Sequence, residues 1–511
     1  MYLKSAGHGS AQGGFTSINW KAAAAAVRWN IQPFIDGCYR PSVSTELFAK
    51  INPATETVLY HTPVGDPTDI DAAVRVARRR LNEGCWSELA PRRRAEALLR
   101  LADLIVKHKA DLALLDSLEM GKPIQAALYD AEQFAPTLLR SWAGLADKLV
   151  GESAPSSGGT LAYNTYEPRG VIGAITPWNF PSVNAVLKLG PALAAGNTLV
   201  LKPSEVSPSS ALKIAELALE AGVPQGVLNI VPGLGSTVGA ALALHPDVNM
   251  VSFTGSTATG RKIMELSGRS TGKPLLLECG GKSPQVVFED VENLDRVADM
   301  AVYNIVRNQG QVCNAHTRLI VHGAIHDQLV DKIVRRASQY RPSDPLDEST
   351  AFGPLASPAQ RDRVKGYIEA GIKGGATTIL NGTIQESGGC YVSPTIFDGV
   401  ESTMSIVQEE IFGPVLCIQR FETEEEAVAL ANGTDYGLTA TVWTRDMGRG
   451  RRLAHSIQAG YVAVRTSGDE KEDSSLLLSS EPQKASGFGA ELGLRGLQSY
   501  STLKLLSFSG S

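Results

Sequence analysis

No pair of cysteines in this chain has the two-to-four-residue spacing of a metal knuckle, and no framework of spacings suggests disulfides. The six that occur, Cys38, Cys85, Cys279, Cys313, Cys390 and Cys417, are scattered through 511 residues. That usage suits a reducing compartment, so a cytoplasmic location is expected and no metal is called for. No uninterrupted apolar run reaches the roughly 18 to 20 residues that a membrane helix requires. Basic residues form no long run and the formal net charge is −5, which argues against nucleic acid or an anionic membrane as the main partner. A GxGxxG dinucleotide fingerprint is also missing, and no internal repeat is apparent.

What is present fits a folded enzyme-sized protein: 43% hydrophobic and 20% charged residues. A chain of 511 residues is too long for one core, so two or three domains are expected. Residues 1–17 are rich in Gly and Ser and read as a disordered lead. The alanines at 22 to 26 can start a helix; a transit peptide is set aside because Asp36 follows soon and the Arg/Ser pattern is thin. From Asp69 to Leu118, Leu98, Leu101, Ile105, Leu112 and Leu115 recur at helical spacing, with Pro91 as a start and Gly121-Lys122-Pro123 as a break. Arg92 to Arg94 read as a solvated helical face.

Between Val171 and Phe288 the texture changes. Strand-length apolar runs at 171–175, 198–201, 227–231 and 250–253 alternate with helical stretches at 182–195, 209–220 and 238–244. This alternation predicts an α/β fold with a mostly parallel sheet covered on both faces, whose ligands bind in loops at the carboxyl ends of strands. A second alternating region runs from Val286 to Leu453, with a candidate boundary at Gly280-Gly281. Residues 500–508 read as one edge strand.

The chemistry-bearing motifs occupy the loops. Asn308-Gln309-Gly310-Gln311-Val312-Cys313-Asn314 holds a single cysteine among small and amide residues, either a nucleophile or an inert thiol. In Pro177-Trp178-Asn179-Phe180-Pro181 two prolines stiffen the backbone around Asn179, which either donates to a developing oxyanion or caps the next helix. Lys202 and Glu205, three apart on a proline-stiffened turn, suit the hydroxyls of a ribose or form a surface ion pair. Gly235 lies in a glycine-rich turn that is weak as a fingerprint. Thr254-Gly255-Ser256, with Gly260 beyond, follows a strand and opens a helix, as a phosphate loop does. Glu278 stands after an apolar run and before two glycines, where burial raises a carboxyl pKa toward that of a general base. It can equally be an exposed turn residue.

Together these pieces resemble the NAD(P)-dependent aldehyde dehydrogenase superfamily. PWNFP at 177–181, LKPSE at 201–205, FTGS at 253–256, LECGGKSP at 277–284, NQGQVC at 308–313 and EEIFGP at 409–414 occur in the family's order. Leu118-Glu119-Met120-Gly121-Lys122-Pro123 and Trp443-Thr444-Arg445-Asp446 make the chain most similar to bacterial enzymes acting on ω-amino or γ-glutamylamino aldehydes. The resemblance implies Cys313 as nucleophile, Asn179 as oxyanion donor and Glu278 as the base that activates water. It further implies an NAD cofactor: Lys202 and Glu205 at the adenosine ribose, Trp178 and Ser256 at the pyrophosphate, Glu410 at the nicotinamide ribose with Phe412 nearby, and Gly235, Gly255 and Gly260 lining the path.

The domains implied are an NAD-binding unit at 18–145 and 168–281, a catalytic unit at 282–481, and a small β oligomerisation extension at 146–167 and 496–511, serving a homodimer or homotetramer. The substrate expected is a small aldehyde. One segment departs from the family's pattern. Residues 465–485 carry a longer polar loop with Asp469, Glu470, Glu472 and Asp473, where the family borders its substrate entrance. Two alternatives accompany the reading: an inactive family member serving as scaffold or binder, and a coenzyme A-acylating semialdehyde dehydrogenase.

Overall fold

The computed structural model describes residues 18–155, 160–466 and 478–509. The lead expected at 1–17 and the four carboxylates at 469–473 lie outside the described residues.

Five parallel strands form the first sheet: β1 (Val171–Ile175), β2 (Thr198–Lys202), β3 (Leu228–Ile230), β4 (Met250–Thr254) and β5 (Leu275–Glu278). Their spatial order is β3-β2-β1-β4-β5. Every residue of β1 and β2 is buried, because helices cover both faces of the sheet. This is the reason the strands read as continuous apolar runs rather than alternating ones. Short antiparallel strands close the two edges, Phe34–Ile35 with Cys38–Tyr39 beyond β3 and Gly487–Phe488 beside β5. The strand order reverses between β1 and β4, which opens a crevice at their carboxyl ends. The loops after β1 and β4 carry Asn179 and Ser256.

The second sheet holds β6 (Pro284–Val287), β7 (Arg318–His322), β8 (Thr377–Leu380), β9 (Thr395–Asp398), β10 (Val415–Phe421), β11 (Thr439–Trp443) and β12 (Tyr461–Arg465). Their order is β8-β9-β10-β7-β6-β11-β12, parallel except for the β8/β9 pair. Only five residues separate β5 from β6, so Gly280 and Gly281 pass the chain directly from one sheet to the other. Helices α1 (Pro181–Ala194), α2 (Ser209–Glu220), α3 (Thr257–Arg269) and α4 (Leu294–Val306) follow β1, β2, β4 and β6 in the chain.

The edge strand expected at 500–508 is Ser501–Ser509, and it pairs antiparallel with Thr160–Pro168 along all nine residues. The resulting two-stranded ribbon exposes Leu161, Leu503, Leu505 and Phe508.

Three local expectations change. The helical stretch at 69–118 divides into Pro67–Asn82, Pro91–Lys107 and Lys109–Met120. The helix expected at 238–244 begins as a wide turn over Gly235–Gly239 and becomes α-helical only from Ala240. Arg94 is not on a solvated face: it is 6% exposed, and its Nε donates to the Ala194 carbonyl at 3.1 Å. A guanidinium there satisfies carbonyls left over at the end of α1.

Candidate active site

The cysteine loop starts where α4 ends. Asn308 and Gln309 adopt left-handed φ values of 48° and 58°, and Gly310 follows at 71°. A Cβ on Gly310 would stand 2.2 Å from the Gly413 carbonyl oxygen, so only glycine lets this turn lie against the 413–414 backbone. Left-handed Asn and Gln are sparsely populated and need support from their surroundings. Here Asn308 Nδ2 donates to the Asn179 carbonyl at 2.8 Å, and Gln311 Nε2 donates to the Asn308 carbonyl at 3.1 Å. The Ala356 N–H donates to Gln311 Oε1 at 2.9 Å. Cys313 itself is half-buried, and its carbonyl faces Gly281, where a Cβ would approach to 2.4 Å. Burial pushes the Cys313 thiol up to about 12; the charges of Glu410 and Glu278 add to this, and a backbone hydrogen bond at Asn314 opposes it.

Asn179 does not cap the helix that follows. The cap position of α1 is Phe180, and no side chain caps it. Instead Asn179 Nδ2 donates to the Gln311 carbonyl at 3.0 Å, while its Oδ1 accepts from Asn184 Nδ2 at 3.4 Å. The amide is thereby held with a known orientation against the cysteine loop, and one N–H of its two remains.

Glu278 ends β5, and the edge strand Gly487–Phe488 pairs beside it, Gly487 directly opposite. Burial first, then the neighbouring charge of Glu491, raises its carboxyl well above the usual range; Lys188 pulls the other way. Lys188 is fully buried and forms an ion pair with Glu491. Neither residue was singled out in the sequence. A lysine between Leu187 and Leu189 in a buried apolar helix was the available signal, since buried charges are kept only when paired.

On the cofactor side, Lys202 is buried and its Nζ donates to Glu205 Oε2 at 2.8 Å, with Glu205 half-exposed. Gly235 lies beside them, its Cβ position 4.0 Å from Lys202 Nζ. Ser256 caps α3, accepting from the Thr259 N–H at 3.2 Å, which leaves further first-turn amides available for an anion. Thr254 Oγ1, at the end of β4, is buried without a hydrogen-bond partner. Gly255 and Gly260 are accounted for by packing, against the Phe253 ring and against Cys279 Sγ respectively. Glu410 Oε1 accepts from the Gly281 N–H at 3.1 Å. Its carboxyl is pushed up to about 7 by burial, with the Gly281 N–H, Arg363 and Lys282 opposing. A Cβ on Gly280 would fall 2.3 Å from Glu410 Oε2. Phe412, at φ 61°, meets Trp178 edge to face with 5.4 Å between ring centres.

The structure therefore gathers Asn179, Cys313, Glu278, Glu410 and the Trp178–Phe412 pair around the crevice, with the Lys202–Glu205–Gly235 group at the end of β2. An orphaned hydroxyl, uncapped amides, two carboxylates for diol hydroxyls and an aromatic wall make a donor set that fits a dinucleotide. Among the described residues, no group of three or more His, Cys, Asp or Glu side chains is placed to hold a metal ion, and no helix is long and apolar enough to cross a membrane.

The model of the aldehyde dehydrogenase family matches residues 39–506. The chain is 40% identical to the NADP/NAD-dependent aldehyde dehydrogenase PuuC of Escherichia coli over 491 residues, 96% of this chain and 98% of that protein. It superposes on the γ-glutamyl-γ-aminobutyraldehyde dehydrogenase of Burkholderia cenocepacia with a TM-score of 0.91 at 41% identity, covering 96% and 98% of the two chains. A Pseudomonas syringae indole-3-acetaldehyde dehydrogenase solved with NAD+ gives a TM-score of 0.92 at 41% identity, covering 96% and 99%.

Proposed function

The chain belongs to the aldehyde dehydrogenase family and is an NAD-dependent enzyme that oxidises an aldehyde to its carboxylic acid; from that premise we propose the following residue roles. Cys313 loses its thiol proton to solvent and its Sγ attacks the aldehyde carbon; the carbonyl π pair moves onto oxygen, and that anionic oxygen is held by the remaining Asn179 N–H and the Cys313 backbone N–H. Bound NAD+ supplies the hydride acceptor. Loss of hydride leaves a thioester on Cys313. Glu278 takes a proton from water as that water attacks the thioester, releasing the acid and regenerating the thiol. Glu205 and Lys202 hold the adenosine ribose, Trp178 and Ser256 the pyrophosphate, Glu410 the nicotinamide ribose. Gly235 keeps the cofactor path open beside Lys202, while Gly255 and Gly260 let the turn into α3 pack against Phe253 and Cys279.

The observation that carries these roles is the clamp on Asn179. Its amide is fixed by Asn184 and by the carbonyl of Gln311, two residues before Cys313, so the loop of the donor and the loop of the nucleophile are locked to each other. Replacing Cys313 by Ala is expected to abolish oxidation while leaving NAD+ binding nearly intact. Substantial residual turnover would place the nucleophile elsewhere.

The substrate class we propose is an ω-amino aldehyde. Its support is the similarity to the aminoacetaldehyde dehydrogenase of Pseudomonas aeruginosa, 41% identical over 450 residues, together with four carboxylates at 469–473, which attract a cationic substrate over a screening length of about 8 to 10 Å. Neutralising all four is expected to lower kcat/KM for an amino aldehyde, more at low salt, and to spare an uncharged aldehyde of equal length. Equal loss for both would remove the loop from selectivity. The same reading has the unit at 18–145 and 168–281 bind NAD, the unit at 282–481 carry the nucleophile, and the exposed apolar ribbon join copies of a cytoplasmic homo-oligomer.

A further inference from the structure

The motif Leu118-Glu119-Met120-Gly121-Lys122-Pro123 has no place in the chemistry above, yet its helix carries two fully buried carboxylates. Asp116 and Glu119 are three apart on Lys109–Met120, so they share one face. Asp116 Oδ2 accepts from Ser182 Oγ at 2.9 Å, and its Oδ1 accepts from Ser210 Oγ. Glu119 Oε2 accepts from the Ser209 N–H at 3.2 Å, and its Oε1 accepts from Ser209 Oγ and from Tyr60 Oη, each at 2.5 Å. Ser182 is the second residue of α1, three after Asn179. Ser209 and Ser210 open α2, just beyond the loop that carries Lys202 and Glu205. Neither helix has a side-chain cap of its own; at α2 Glu119 supplies the acceptor that the Ser209 amide lacks, while at α1 Asp116 holds the Ser182 hydroxyl. The two loops are also tied to each other, Ser207 Oγ donating to the Trp178 carbonyl at 3.2 Å. Lys122, from the same motif, pairs with Asp130 and sits 3.7 Å from the centre of the Phe180 ring.

Buried carboxylates are a poor way to stabilise a core, because apolar residues of similar volume commonly do as well. What they add is a fixed hydrogen-bond geometry at both helix starts.

We propose that Asp116 and Glu119 are positioning residues: Asp116 acts through Ser182 to set the oxyanion donor Asn179, and Glu119 acts through Ser209 to set the ribose-binding Glu205. The proposal rests on the roles given above to Asn179 and Glu205. Small displacements remote from the reacting atoms carry large rate penalties, so the two substitutions separate. Asp116→Asn is expected to lower kcat about tenfold with the calorimetric Kd for NAD+ nearly unchanged. Glu119→Gln is expected to weaken that Kd severalfold with a smaller effect on kcat.

The test is a double-mutant cycle, with NAD+ affinity measured by calorimetry alongside turnover. In an Asn179→Ala background, Asp116→Asn should cost little further kcat, because the donor it positions is already gone. Full additivity overturns the proposal, as does equal loss of kcat and NAD+ affinity in both single variants. Should Asp116→Asn fail to fold, Ser182→Ala removes the same contact more gently, and an unchanged kcat there overturns it too. If Asn179→Ala alone leaves kcat intact, the oxyanion role fails, and with it the route assigned to Asp116; Glu119 is then judged by the NAD+ affinity alone.

Discussion

At the residue scale, the environment of Cys313 poses a definite electrostatic problem. Burial and two carboxylates hold its thiol near pKa 12, so little thiolate exists at neutral pH before a cation or an electrophile arrives. If Glu278 acts only on water, Glu278→Gln removes a neighbour that is negative once pH exceeds its raised pKa, and alkylation of Cys313 by iodoacetamide at alkaline pH should become faster. Slower alkylation would instead make Glu278 the base that activates the thiol. The same variant should keep a rapid burst of about one NADH per site while steady turnover collapses. Its pH dependence has a fixed sign. The carboxyl is raised above its ordinary value and must be deprotonated to accept water's proton, so deacylation climbs as pH rises through the folded pKa. That limb should vanish in the Gln variant. Glu205 sets a second expectation: a carboxylate facing a 2′-phosphate repels it, so NAD+ is preferred, and Glu205→Gln should narrow the gap in kcat/KM. Wild-type enzyme at least as efficient with NADP+ overturns that assignment.

At the element scale, the strand Gly487–Phe488, just after the segment that departs from the family's pattern, has an exacting position. Gly487 has φ 121°, and a Cβ there would stand 1.9 Å from the Leu277 carbonyl oxygen, beside Glu278. The Cys279 N–H donates to the Ser486 carbonyl at 2.9 Å just beyond. Gly487→Ala must shift backbone against backbone, at about 2 kcal/mol or more, and it should lower Tm by several degrees and depress turnover together. A variant with wild-type Tm and activity would show that the pairing can relax without consequence to Glu278.

At the scale of the whole molecule, the outlying feature is the ribbon of Thr160–Pro168 and Ser501–Ser509. Two strands cannot bury both faces of their own apolar residues, and Leu505 is 73% exposed. Exposed apolar area of this kind marks an interaction surface. Leu505→Glu is expected to convert an oligomer to a species near the 54.3 kDa of one chain, measured by sedimentation equilibrium. A wild-type monomer, or a variant of unchanged mass, overturns the role proposed for the ribbon.

The sequence alone determined the alternating α/β texture, because strands buried on both faces must be written as continuous apolar runs. It also determined where chemistry concentrates, because turns that present Asn179, Cys313 and Glu278 need proline and glycine at set positions. Tertiary structure alone decided the partners. That Asn179 holds the Gln311 carbonyl rather than capping α1 follows from the approach of a loop 132 residues away. That the charges of Lys188 and Glu491 act on Glu278, and that Asp116 and Glu119 serve the starts of α1 and α2, follows equally from long-range packing. Local pattern records which face a residue presents. The charge or hydroxyl that meets it comes from a distant part of the chain, and only the closed fold brings the two together.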